Sequence, residues 1–323
     1  MHERLLKDLV LIRSYSGEEA ELRGYIDSRF ADRGIEALEQ DGSLLVHLEG
    51  RDKTRAFIFN SHMDTVSSGD ESQWRYGPWN PTREVDRLIG LGASDMKSGL
   101  AASMLLAEKI AQQGVPPVDM WFTYVVHEET DGSGTSSFAE WFEGGGYRKR
   151  YKDLAGIFTE PTSLKEIEHG HRGNLFVKAE AEGGSGHASR PRELKIHSVR
   201  KMIAFADQLQ AAMRKWREDF GSDIFEPPTV GEMTSIVAGI TARREGKTFV
   251  LEPESPNKFP ATCIATFDIR TTPEFHPVAL QRIQELGREL EVNISLAYPA
   301  APAGFTDKSE KIVQVAREVL GDP

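Results

Sequence analysis

The 323-residue chain has very little cysteine: a single residue, Cys263, which cannot form an internal disulfide. A lone thiol suits a reducing compartment, so a cytoplasmic protein is expected. Long hydrophobic runs are also lacking, and none approaches the ~18 residues that a spanning helix needs. The N-terminus, Met1 to Val10, mixes Glu, Arg, Lys and Asp with Leu instead of building the apolar centre of a signal peptide. Positive charge is in deficit, with 39 Lys and Arg against 50 Asp and Glu for a net charge of -11. That balance excludes nucleic acid and anionic membrane as main partners. No internal repeat or low-complexity tract interrupts the chain. What remains, 39% hydrophobic and 28% charged residues, is globular composition, and the length accommodates two domains.

Apolar periodicity places helices at the two halves of Leu5–Phe30, broken at Ser14–Gly17, and at Ser98–Gln113 and Ser136–Phe142. Strands are expected at Ile35–Leu38, Leu44–Leu48, Ala56–Asn60, Leu88–Leu91, Met120–Val126 and Leu154–Phe158. This alternation reads as an α/β layered domain over residues 1–170 with a mostly parallel sheet. Beyond residue 171 the pattern changes. Leu175–Ala181, Thr248–Leu251 and Cys263–Ile269 read as strands of a smaller sheet, with helices Ser198–Trp216 and Pro277–Leu290 on one face. Residues 171–299 are thus an α+β unit of domain size, and Ser309–Leu320 is one more amphipathic helix.

Acidic and His residues follow the apolar strands with unusual regularity. His62 and Asp64 follow Ala56–Phe59, Asp95 follows Leu88–Leu91, Glu128 and Glu129 follow Trp121–Val126, and Glu160 follows Leu154–Phe158. Four parallel strands ending at one sheet edge would gather them where α/β proteins bind ligands. One imidazole among several carboxylates is costly unless a cation neutralises the cluster, which points to zinc, with cobalt or manganese as substitutes. The three carboxylates Asp95, Glu129 and Glu160 suit two divalent ions, and an Asp on a Gly-flanked turn can offer one oxygen to each. Of the adjacent pair Glu128 and Glu129, one can ligate while the other stays free to move a proton.

In this order, His-x-Asp, Gly-x-Gly-x-x-Asp-x-Lys-x-Gly from Gly90 to Gly99, Glu-Glu and Glu-Pro-Thr are jointly specific, although each alone is weak. Over nearly the whole chain the sequence resembles the di-zinc aminoacylase-type metallohydrolases. That family includes acetylornithine deacetylase, succinyl-diaminopimelate desuccinylase, bacterial glutamate carboxypeptidase and several dipeptidases. The resemblance implies that His62 and Glu160 bind one zinc, Glu129 the other, and Asp95 both. It makes Asp64 the partner of the His62 imidazole, Glu128 the general base and acid, and the peptide after Asp95 cis. Gly183–Ser189 resembles the segment whose His, here His187, polarises the scissile carbonyl. Asn257 and Arg270 match the pair that holds the substrate's free carboxylate.

The implied activity is hydrolysis of an N-acyl amino acid, or of a small peptide in a dipeptidase or carboxypeptidase relative. The implied architecture is an inserted lid that carries a homodimer contact, with 300–323 returning to the catalytic domain. The family's closing Gly-rich loop and last His ligand have no counterpart before Pro323, so an incomplete second metal site, or a non-catalytic metal- or amino-acid-binding relative, is also expected. His127 stands where relatives carry a small or acidic residue. Other readings of the same residues are a hairpin for Gly183–Gly186, a salt bridge for Arg270 and a turn for Asn257. Cys263 reads as a small buried apolar group.

Overall fold

The computed structural model describes residues 2–163, 166–193, 195–226, 229–239, 242–245, 248–251 and 257–321. Contacts between Cα atoms divide it into two units, one of residues 1–167 with 320–323 and one of residues 168–319.

The first unit runs α1 (His2–Leu11), α2 (Ala20–Ala31), β1 (Ala37–Gln40), β2 (Ser43–Leu48), β3 (Asp52–His62), β4 (Thr82–Glu84), β5 (Arg87–Ile89), α3 (Lys97–Gln113), β6 (Val118–Val125), α4 (Ser133–Gly144), α5 (Tyr147–Arg150) and β7 (Asp153–Phe158). Its five-stranded sheet has the order β1-β2-β6-β3-β7. β6, β3 and β7 are parallel neighbours, while β1 and β2 add antiparallel strands at the other side. Alternation along β6 explains how the sheet is buried on both faces. Phe122 and Tyr124 pack with Leu5, Leu9, Leu22, Ile26 and Phe30 of the first two helices and with Leu100 and Met104 of α3. Trp121 points the other way, into Phe138, Phe142 and Tyr151. Each such fully buried side chain contributes about 1.5–3 kcal/mol, so the ends of the parallel strands are firmly held.

Leu88–Leu91 is not a fourth parallel strand. Arg87–Ile89 turns back through Val85 and Asp86 onto Thr82–Glu84 as a separate hairpin. Asp95 instead arrives on the loop that opens α3, a helix packed beside β3 and β6. The wholly buried Lys97 fixes that opening, donating to the carbonyls of Leu9 (3.0 Å) and Ile12 (2.7 Å) at the end of α1.

The second unit contains β8 (Gly170–His171), β9 (Gly173–Glu182), β10 (Gly186–His187), α6 (Ser198–Asp219), β11 (Val230–Gly239), β12 (Ala242–Glu245), β13 (Thr248–Leu251), β14 (Lys258–Phe259), β15 (Thr262–Thr271), α7 (His276–Glu289), β16 (Val292–Leu296), β17 (Gly304–Phe305) and α8 (Lys311–Leu320). Its antiparallel sheet has the order β11-β15-β9-β16. Leu175, Val177, Ala179 and Ala181 alternate toward α6 and α7, with Cys263, Ala265, Phe267 and Ile269 beside them. Cys263 is buried there. Thr248–Leu251 does not join this sheet but pairs with Ala242–Glu245 as its own hairpin. Residues 300–319 group with the second unit rather than the first, because Ala301 bridges Asn174 and Gly304–Phe305 pairs with Gly170–His171. Among the described residues, no helix is long and apolar enough to cross a membrane.

Candidate metal centre

The site forms at the C-terminal ends of β3, β6 and β7 in the first unit. His62 is the last residue of β3 and is 1% exposed. Its Nδ1–H donates to the backbone carbonyl of Asp64 at 2.9 Å. In a neutral imidazole that bond leaves Nε2 with a bare lone pair. Nε2 faces Asp95 Oδ1 at 3.1 Å, Glu160 Oε1 at 3.7 Å and Glu128 Oε2 at 3.8 Å. A lone pair opposite carboxylate oxygens is repulsive unless something positive lies between them. Among the described residues, His62 is the only basic side chain in ion-pair range of these acids.

Two sets of donor atoms lie within 4.8 Å of one another, His62 with Asp95 and Glu129, and His62 with Glu128 and Glu160. Imidazole nitrogen with carboxylate oxygens is a donor set that divalent zinc accepts. The residues present therefore fit a metal. Their proton affinities are shifted by the same crowding of buried charge. Burial pulls the His62 imidazole down, but hydrogen bonds to Asp64 and Asp95 and the Glu160 charge outweigh it and push it up to about 10. Burial, then the Asp95 charge, raises Glu129 to about 7. Burial with the Asp95 and Glu128 charges raises Glu160 to about 7 against the pull of His62. Burial also raises Glu128. Asp95 is lowered, chiefly by its hydrogen bond from His62.

A metal-free chain therefore has a defined pH signature. Folded Glu129 and Glu160 titrate at about 7 against an ordinary value of 4.5, so the folded state holds extra protons between those values. Stability from those protons is complete below about pH 4.5 and is lost as pH rises toward about 7. The melting temperature of chelator-treated protein should fall across this window, and a divalent metal should restore it at neutral pH by replacing the protons. Melting curves at stepped pH, with and without chelator, check both; a rise across the window in the chelated protein contradicts the assignment.

Asp64 is 0% exposed. Its carboxylate takes the backbone N–H of Glu128 on Oδ1 (3.1 Å), and on Oδ2 the N–H of Glu129 (3.0 Å) and the hydroxyl of Ser16 (2.6 Å). Its Oδ1 lies 3.4 Å from His62 Nδ1. Asp64 therefore holds the imidazole mainly through its own carbonyl and spends its carboxylate on the turn carrying the two glutamates. Burial opposes its ionisation, but hydrogen bonds from His62 and Ser16 outweigh that and keep its carboxyl below the usual range. The Asp95–Met96 peptide is cis, and the Met96 sulfur accepts the His62 backbone N–H at 3.0 Å.

Gly99 closes the arrangement. Its backbone in α3 lies so close to Thr159 that an added Cβ would overlap the Thr159 carbonyl oxygen. Gly99→Ala must push the start of α3, with Asp95, away from Glu160. The expected result is a melting temperature lowered by several degrees, equivalent to about 1–3 kcal/mol, together with weakened metal retention. Thermal melts and metal analysis of the purified variant test this; retention at the wild-type level would show that the contact does not set the spacing.

The remaining sequence candidates lie in the second unit. His187 Nδ1 lies 3.2 Å from the backbone N of Ser189 and 2.7 Å from its hydroxyl, and Nε2 lies 3.2 Å from the side-chain amide nitrogen of Asn257. The structure thus brings His187 and Asn257 together. Arg270 engages Asp268 two residues earlier on β15, with Nε to Oδ1 at 2.9 Å and Nη2 to Oδ2 at 3.0 Å. Ser16 and Glu19, which support the turn at His127–Glu129, were not legible as site residues. They sit in a break between two helices, and no local pattern marks their distant partners.

The model of peptidase family M20/M25/M40 matches residues 58–322. The chain is 28% identical over 292 residues to succinyl-diaminopimelate desuccinylase of Leptothrix cholodnii, covering 86% of this chain and 70% of that protein. Its fold is similar to the M20 family metallo-carboxypeptidase Sso-CP2 of Sulfolobus solfataricus, with TM-score 0.72 and 15% identity over 99% of this chain and 84% of the other. It is also similar to the dinuclear metal binding peptidase YXEP of Bacillus subtilis, with TM-score 0.61 and 14% identity over 99% and 78%. The chain spans 64–70% of the length of the first curated relatives it matches.

Proposed function

Because this chain belongs to peptidase family M20/M25/M40, we propose that it is a zinc-dependent hydrolase cleaving the amide bond of an N-acyl amino acid that carries a free carboxylate. The observation that carries this reading is Nε2 of His62, turned into a group of carboxylates with no other basic partner among the described residues, where a metal can take the place of its proton. Divalent ions bound there supply Lewis-acid polarisation of the scissile carbonyl and acidify a water molecule. Asp95, Glu129, Glu160 and His62 hold two such ions.

Glu128 moves the proton. Burial makes its carboxylate a stronger base than an ordinary glutamate, so it can take a proton from the attacking water and pass it to the departing amine. His187 offers a ring N–H to the developing oxyanion. Asn257 and Arg270 take the substrate carboxylate, Arg270 turning from Asp268 or sharing it. The second unit serves as lid and carries a homodimer contact. The outer edge of β11, paired only with β15 among the described residues, supports that contact.

The test is hydrolysis of a panel of N-acetyl and N-succinyl amino acids and dipeptides by zinc-loaded protein. Turnover of acyl amino acids over dipeptides supports the proposal. Preference for dipeptides moves the assignment to a dipeptidase or carboxypeptidase, and metal binding without turnover of any panel member overturns catalysis.

A further inference from the structure

The break between α1 and α2 contains Ser14, Ser16 and Glu19, none of which the reaction above uses. Glu19 is 5% exposed and sits at the N-cap of α2, yet its side chain does not cap that helix. It reaches across the unit to accept the backbone N–H of His127 at 3.2 Å. His127 has φ of +59°, in the left-handed region that β-carbon crowding disfavours. This one residue turns the chain out of β6, and the next two are Glu128 and Glu129.

Their N–H groups go to Asp64, whose carboxylate is in turn held by Ser16. Three successive backbone donors are thus fixed by two buried carboxylates, and Ser16 and Glu19 belong to one short segment. Ser14 anchors that segment to the strand end: its hydroxyl donates to the Met63 carbonyl (2.8 Å), and its own carbonyl accepts the Thr65 N–H (2.8 Å). Gly17, at φ of +91°, supplies the bend between Ser16 and Glu19, and an added Cβ there would touch the His127 ring.

We infer that Glu19 and Ser16 are positioning residues that hold the His127–Glu129 turn, setting both the proton-transfer carboxylate and its neighbouring metal ligand. The inference rests on the roles proposed above for Glu128 and Glu129. A group that orients a metal ligand from behind commonly contributes 10–100-fold to affinity or activity. A buried carboxylate that merely filled space would affect stability alone.

The experiment uses the full chain loaded with zinc. Two quantities are read: the rate of zinc release to a chromophoric chelator, and kcat and KM on whichever panel substrate is turned over. Glu19→Ala should release zinc roughly 10-fold faster or more and lower kcat by a similar factor with little change in KM. Glu19→Gln keeps an acceptor oxygen for the His127 N–H and should restore both to within about 3-fold of wild type. If Glu19→Ala does not fold, Ser16→Ala, which deletes one bond to Asp64, should shift both readouts the same way by a smaller factor. Zinc release and kcat within about 2-fold of wild type in the folded alanine variant overturn the inference, whatever its melting temperature. Should no panel substrate be cleaved by wild type, the proposed reaction fails while zinc release still decides the role of Glu19.

Discussion

Glu128→Gln is expected to reduce turnover by roughly 10²–10⁴-fold or more while leaving the zinc content of the protein unchanged. The substitution keeps the size and one carbonyl oxygen of the side chain but cannot accept a proton. The backbone N–H at 128 stays on Asp64, so the turn is not released. The geometry makes this variant discriminating, because Glu128 and Glu129 each complete a donor set around His62, one with Glu160 and the other with Asp95. If Glu128 were a ligand rather than the proton carrier, its amide should lose metal together with activity. Metal analysis beside single-turnover kinetics separates these outcomes. An active Glu128→Gln enzyme would contradict the mechanism outright.

The largest combined effect on stability and metal binding is expected from Asp64→Ala. Its carboxylate takes two backbone donors and one hydroxyl in a place with no solvent access. Removing it leaves those donors without an acceptor, at about 1–3 kcal/mol for each buried group. Melting temperature should fall by ten degrees or more, and zinc affinity by 10–100-fold or more as the turn at Glu128 and Glu129 loosens. Asp64→Asn should be milder in stability, since the amide oxygen still accepts, yet impaired in zinc retention. Calorimetric melts and competitive chelation measure the two effects. A stable, fully loaded Asp64→Ala protein would show that the turn holds itself.

Much of this centre could be read from residue order. A strand such as Trp121–Val126, apolar on both faces, followed after the single residue His127 by two glutamates, is unlike a solvated turn, and the same contrast marks His62 and Glu160. The parallel core β6-β3-β7 follows from those runs. Leu88–Leu91 misled because three paired residues and a tight turn at Val85–Asp86 can close a hairpin locally, satisfying the backbone without reaching the sheet. In the second unit the sheet takes Val230–Gly239 and Val292–Leu296 in addition to β9 and β15. Their Gly, Ser, Thr and Asn content blurred the apolar alternation, whereas Thr248–Leu251 looked more like a strand and lies elsewhere. Glu19 could not be inferred at all. Its partner is 108 residues away, and only the folded chain shows that its carboxylate serves a turn rather than its own helix.

The most direct test of the account is a zinc titration of chelator-treated protein at neutral pH, repeated in buffers of different ionisation enthalpy, for wild type and Asp95→Ala. The account predicts tight binding by wild type with protons released, because Glu129 and Glu160, which titrate at about 7, and His62, at about 10, must give them up. It also predicts that Asp95→Ala loses that tight binding. Wild-type protein that takes up no zinc, or Asp95→Ala protein that binds as tightly as wild type, would contradict the claim that this cluster is a metal centre.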